Sequence, residues 1–117
     1  MKQPALLDHE TLIVYQRALE LLDSIDKILG ELASFRSHLR DQLDRAITSV
    51  VLNIAEGAGE FRLAEKQRFY RMAKRSATEV AAVLDILVRR GVLDGERCTA
   101  ARGLIVEVVA MLARMAS

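Results

Sequence analysis

Asn53 and Glu56 stand three residues apart, and Ser76 and Glu79 repeat that spacing further along the chain. On a helix each such pair shares one side. A carboxylate beside an amide or hydroxyl can position a proton or a metal ion. The same grouping also serves structure, because a polar residue on the border of an apolar face hydrogen-bonds across to the next helix and fixes its register. Buried polar groups are normally paired rather than reactive, so Asn53, Glu56, Ser76 and Glu79 are read as a structural network, with Arg45, Arg68 or Arg75 available to neutralise either glutamate. Gly57, directly after Glu56, is read as the stop of that helix.

Other routes to chemistry are thinner. Metal-bearing helical bundles use Glu-x-x-His pairs, but the residue three before His38 is Phe35 and the one three before His9 is Leu6. Cys98 falls in the first turn of a predicted helix, where a thiol pKa can drop. No histidine is placed to act as its base, and a buried structural thiol is the default reading. Gly57-Ala58-Gly59 lacks the preceding strand and the length of a phosphate loop. No residue is assigned as catalytic, cofactor-binding or metal-ligating, and the chain reads as a non-enzyme.

Positive charge is the stronger signal. Arg62, Lys66, Arg68, Arg71, Lys74 and Arg75 place six cations within 14 residues, against one acid, Glu65. At 1.5 Å per residue this segment spans about 20 Å, enough to follow several phosphates. Arg and Lys are the residues that contact phosphate, and Tyr70 is placed among them as a candidate for stacking on a base. The competing reading is a solvated charged face paired with Glu56, Glu60 or acids of the first helix. Net charge is only +1, but it is unevenly spread: residues 1–33 carry −3, residues 36–75 carry +4, and residues 76–117 balance.

The elements that must hold these residues are helices. The chain has 117 residues, a common size for one domain, with a single proline at position 4, no Trp, two Tyr and three Phe. A core of Leu, Ile, Val, Ala and Met in a chain with no internal proline reads as nearly all helix. Four helices are expected, over about residues 8–32, 34–57, 62–90 and 94–115. Leu12, Tyr15, Leu19, Leu22, Ile25 and Leu29 mark the buried side of the first, with Asp8 as its N-cap. Leu39, Leu43, Ala46, Ile47, Val50 and Ile54 mark the second, beside a polar row of Gln42, Arg45, Ser49, Asn53 and Glu56. Phe69, Ala73, Ser76, Ala77, Val80, Val83, Leu84 and Leu87 mark the third, which ends at Gly91. Asp94 caps the fourth, whose inward residues are Leu104, Ile105, Val108, Met111, Leu112 and Met115. Short connections make sequential helices antiparallel, so the expected fold is a single all-α domain, an up-down-up-down four-helix bundle.

Cys98 is the only cysteine, which fits a reduced compartment. The apolar clusters fall far short of the ~20 residues of a membrane span, and no signal-like apolar run opens the chain. The expectation is a cytoplasmic protein away from membranes. Ala81, Ala82, Ile86 and Val88 on the third helix, with Val106, Ala110 and Ala113 on the fourth, lie outside a single buried stripe. Exposed together they would form a patch that soluble monomers avoid, so a homo-oligomer is expected.

With these residues in place, the chain resembles the four-helix-bundle family of 23S ribosomal RNA intervening-sequence proteins. Val14-Tyr15-Gln16-Arg17-Ala18 looks like the family's element in its first helix. Residues 53–57 match its Asn-Ile-Ala-Glu-Gly, and Lys66, Phe69, Ala73, Ser76 and Glu79 match its third helix. The likeness runs from about Leu12 through Leu87. The family's Ser-Ile-Pro-Ser is Ser49-Val50-Val51-Leu52 here, so the second helix is expected to run straighter, and the fourth helix carries no matching motif. The resemblance implies a ring, commonly a pentamer, and a role near RNA or DNA. Related bundles accompany the reverse transcriptases of diversity-generating retroelements as basic, ring-shaped partners. A rival expectation is an oligomeric scaffold or adaptor that docks another protein, with no nucleic-acid role.

Overall fold

A computed structural model describes residues 5–32 and 37–117. Four α-helices carry the fold: α1 is Ile13–Glu31, α2 is Ser37–Gly59, α3 is Leu63–Arg89 and α4 is Thr99–Met115. Short 3₁₀ turns, Asp8–Thr11 and Gly95–Cys98, lead into α1 and α4. No strand occurs among the described residues. The expected start of the second helix at Ser34 lies outside them.

Cross-helix contacts fix the directions. Arg17 meets Glu107 and Arg97 meets Glu31, so α1 and α4 run in opposite senses. Gln42 meets Glu79 while Ser49 meets Ser76, which sets α2 against α3. Gln67 and Arg71 reach Ser117 and Ala116, so the start of α3 lies beside the end of α4. Each helix packs on two others in the cyclic order α1, α2, α3, α4, with α2 against α3 the most extensive pair. The result is an antiparallel bundle. Its thinnest dimension, 22 Å, corresponds to two layers of helices roughly 10 Å thick.

The core joins all four helices. Leu21, Ile25, Ile28, Leu43, Ile47, Ile54, Leu87 and Leu112 are its largest fully buried side chains. Burying each such side chain contributes roughly 1.5–3 kcal/mol relative to leaving it in water. The six apolar residues expected inside α2 are all buried. In α1 the buried stripe is instead Val14, Ala18, Leu21, Ile25, Ile28 and Leu29, and Leu12, Tyr15, Leu19 and Leu22 are only half-buried. Apolar residues crowd both sides of this helix, so periodicity alone admits two stripes. The buried stripe runs in alternating steps of four and three, the spacing of a packed helical seam, with the small Ala18 fully buried in it. In α4, Ala101, Ile105, Val108 and Leu112 face inward, with Leu104, Met111 and Met115 at the border.

The helix ends also depart from expectation. Asp8 opens the first 3₁₀ turn, and the N-cap of α1 is Leu12. Asp94 caps the second 3₁₀ turn through the Glu96 N–H at 3.0 Å, one turn ahead of α4. Gly91 closes α3 as expected, with φ +72°. Val92 N–H bonds Leu87 O and Gly91 N–H bonds Val88 O, the paired bonds of a left-handed helix terminus. Gly57, by contrast, does not stop α2, which continues to Gly59.

Outside the core, Ile86 and Val106 are exposed, as are Ala82, Ala110 and Ala113, whereas Ala81 and Val88 rest against the buried cluster. Among the described residues, Phe61 at 96% and Leu63 at 67% are the most exposed large apolar side chains.

Candidate nucleic-acid interface

The polar motif at the α2–α3 seam is a chain of hydrogen bonds. Asn53 is buried, and its amide Nδ2 donates to Ser49 O and Ser49 Oγ, each at 2.9 Å. A carbonyl can only accept, so the amide orientation follows from the bond to Ser49 O. Ser49 Oγ lies 2.8 Å from Ser76 Oγ and ties the two helices. Further along the seam Gln42 donates to Glu79 at 3.3 Å. Asn53 thus reaches Ser76 through Ser49, while Glu79 pairs with Gln42. Glu56 is exposed and joins neither. Among the described residues no arginine pairs with Glu56 or Glu79; Arg68 instead pairs with Glu65. Ser49, the hub, was legible only as part of a polar row, although its four-residue offset from Asn53 is the spacing that allows the contact.

Gly57 works by its missing side chain. A Cβ there would stand 2.7 Å from Tyr70 Cε1 and 3.0 Å from Phe69 Cβ. The bare backbone lets the Tyr70 ring close on α2, and Tyr70 is 6% exposed. Burial pushes its hydroxyl above the usual range for tyrosine. The ring belongs to the core and is unavailable as a stacking platform, contrary to the sequence expectation.

The six cations of the third helix separate into different tasks. Lys66 turns back to α2, where its Nζ donates to Ala58 O at 2.8 Å and Gly57 O at 3.3 Å. Those carbonyls lie at the negative end of the α2 dipole, where Gly57 O also accepts the Glu60 N–H at 3.1 Å, so the lysine adds a donor and a complementary charge. Arg62 is exposed at the N-cap of α3. Arg68 pairs with Glu65 at 2.9 Å and lies 4.6 Å over the Phe69 ring. Arg71 is exposed and its Nη1 reaches Ala116 O at 3.4 Å. Among the described residues Arg62, Lys74 and Arg75 enter no ion pair.

At 100° per residue Arg68, Arg71, Lys74 and Arg75 fall within an arc of about 120° on α3, and Lys66 lies on the far side. Arg71, Lys74 and Arg75 line one shallow depression of about 520 Å³ with Thr78, Glu79 and Ala82. This is a run of solvent-facing donors about two turns long. It can hold anionic oxygens spaced along a chain.

The remaining reactive residues are placed elsewhere. Cys98 is buried at the end of the second 3₁₀ turn, with Sγ 3.8 Å from Asp94 O. Burial raises its thiol pKa, and Asp85 and Asp94 add to the shift against Arg97. His9 packs edge-on against Tyr15 at 4.6 Å, and His38 is exposed. Among the described residues no three His, Cys, Asp or Glu side chains gather as a metal ion requires. No described helix is long and apolar enough to cross a membrane.

Comparison with known families finds that the pattern defining the 23S rRNA-intervening sequence protein matches residues 10–114. No curated protein matches the chain.

Proposed function

The chain belongs to the 23S rRNA-intervening sequence protein family, and on that footing we propose that it is a non-enzymatic, homo-oligomeric bundle that holds nucleic-acid backbones without sequence preference. One observation carries the reading: Arg71, Lys74 and Arg75 share one exposed depression on α3 and form no ion pair among the described residues. Arg68 extends the run by one turn. Contacts of this kind are made to phosphate and carry no base information. Arg62 flanks the site, while Lys66 supports it by holding the end of α2.

One copy offers few contacts, so affinity per subunit is modest. A ring repeats the patch and raises affinity by linking several weak contacts on one strand. The pentamer is the assembly in keeping with the family resemblance, and the cytoplasm is the compartment in keeping with a lone free thiol. A polymerase that handles the same strand, such as a reverse transcriptase, is a partner of the expected kind.

The test is light scattering on the eluting protein, with and without a short labelled RNA, at two salt concentrations. The proposal expects an oligomer that retains RNA at low salt and releases it at high salt. An oligomer indifferent to RNA at both would redirect the search to protein partners.

A further inference from the structure

We propose that the α2–α3 seam reads the ribose 2′-hydroxyl of the bound strand, so that the protein holds RNA in preference to DNA. Asn53 and the Ser49–Ser76 pair are the residues that tell the two apart. The inference rests on the phosphate-binding reading of α3, and adds which sugar that backbone carries.

The seam leaves one acceptor and one donor without protein partners. Asn53 is 9% exposed, and both bonds it makes leave from Nδ2, to Ser49 O and Ser49 Oγ. Its Oδ1 accepts no hydrogen bond among the described residues. A buried acceptor left unpaired is destabilising, and folded proteins normally supply such a group with a partner. The serine pair has the opposite remainder. Ser49 Oγ and Ser76 Oγ lie 2.8 Å apart, and the bond between them uses only one of their two hydroxyl protons. Thr78 donates its proton to Lys74 O one turn back, whereas neither serine bonds a backbone carbonyl in that way. A hydroxyl group both donates and accepts. One that enters the seam donates to Asn53 Oδ1 and accepts the remaining serine proton.

Position says which hydroxyl this is. Ser49, Asn53 and Ser76 line a depression of about 300 Å³ together with Met72, Arg75 and Glu79. Arg75 and Glu79 also line the cationic depression of α3, so the two are continuous. On the Met72 side, Arg68 Nη1 lies 3.6 Å from Met72 Sδ. A cation therefore borders the seam depression at each side, and a nucleic-acid strand carries a phosphate at each side of a sugar.

Glu79 fits the same assignment. A carboxylate is out of place among groups that hold phosphate alone, but acidic side chains are regular acceptors for ribose hydroxyls. Its bond from Gln42 at 3.3 Å leaves it further acceptor sites. Groups that face the sugar distinguish RNA from DNA and carry no base information.

The test uses the full chain and three strands of one sequence built only from A and C: RNA, DNA, and a 2′-fluoro strand that keeps the ribose pucker without the proton. At low salt the RNA is expected to bind roughly five-fold tighter than either other strand, the scale of one neutral hydrogen bond. Asn53→Ala should bring the three affinities to parity, and so should the Ser49→Ala, Ser76→Ala double variant. Circular dichroism verifies helicity, and Asn53→Leu replaces the first variant if helicity is lost. Equal binding of all three strands by the wild-type chain overturns the inference and leaves the phosphate reading standing. A preference for RNA that the 2′-fluoro strand shares, or that survives in a folded Asn53 variant, also overturns it. A wild-type chain that binds no strand at low salt overturns this inference and the phosphate reading together.

Discussion

The ring of Tyr70 lies on the bare Cα of Gly57, where an added Cβ would approach Cε1 to 2.7 Å. This contact packs the end of α2 against the first half of α3. Gly57→Ala therefore overpacks a buried seam and is expected to cost about 1–3 kcal/mol. Gly103, in the exposed interior of α4, has nothing within 4 Å of its would-be Cβ. Gly103→Ala should stabilise by up to about 1 kcal/mol through helix propensity. Urea unfolding of both variants checks the opposite signs.

The serine pair between α2 and α3 is expected to couple energetically. Ser49→Ala and Ser76→Ala should each cost about 1 kcal/mol. Their double variant should cost less than the sum, since the second change removes a bond already lost. Asn53→Ala is expected to cost about 1–3 kcal/mol, because it removes a buried amide and its two bonds to Ser49 O and Ser49 Oγ. Strict additivity of the two serine changes would contradict the hydrogen bond.

Lys66 separates stability from binding. Lys66→Met retains the aliphatic stem and removes the donor to Gly57 O and Ala58 O. A loss of about 0.5–1.5 kcal/mol in unfolding free energy is expected, with RNA affinity little changed. A large drop in RNA affinity at unchanged stability would return Lys66 to the phosphate-binding set.

Cys98 gives the pH prediction. Its thiol pKa lies above its ordinary value of 9.0 in the folded chain, chiefly from burial. The folded state therefore holds this proton to higher pH than the unfolded state does. Its contribution is constant below pH 9 and turns against folding as pH rises past 9. Native protein at pH 8 should react slowly with a thiol reagent, and chain unfolded in urea should react at the rate of a free thiol. Equal rates would place the thiol at the surface.

The helices and most of the core were legible because spacing and composition agreed. In α2 a single apolar stripe beside a polar row left one orientation, and Gly91 followed by Asp94 marked a turn by backbone chemistry alone. The face of α1 was not legible, since apolar residues lie on both sides and only packing against α2 and α4 selects Val14, Ala18 and Leu21. Gly57 has two uses for a glycine in a helix, stopping it or letting a ring approach, and the second depends on Tyr70 thirteen residues away. The six cations read as one patch because charge is visible in sequence. That Lys66 turns to a helix end and Arg68 to Glu65 depends on the α2–α3 geometry and on local rotamers.

The affinity of the Arg68→Ala, Arg71→Ala, Lys74→Ala, Arg75→Ala quadruple variant for a short single-stranded RNA, measured across a salt series, tests the basic face of α3 most directly. For single strands the log–log salt slope is about −0.7 per phosphate neutralised, so removing four contacts should flatten it by about 2–3 and abolish measurable binding near physiological salt. Helicity by circular dichroism should be unchanged. Wild-type affinity and slope in the folded variant would contradict the assignment of α3 as the nucleic-acid face.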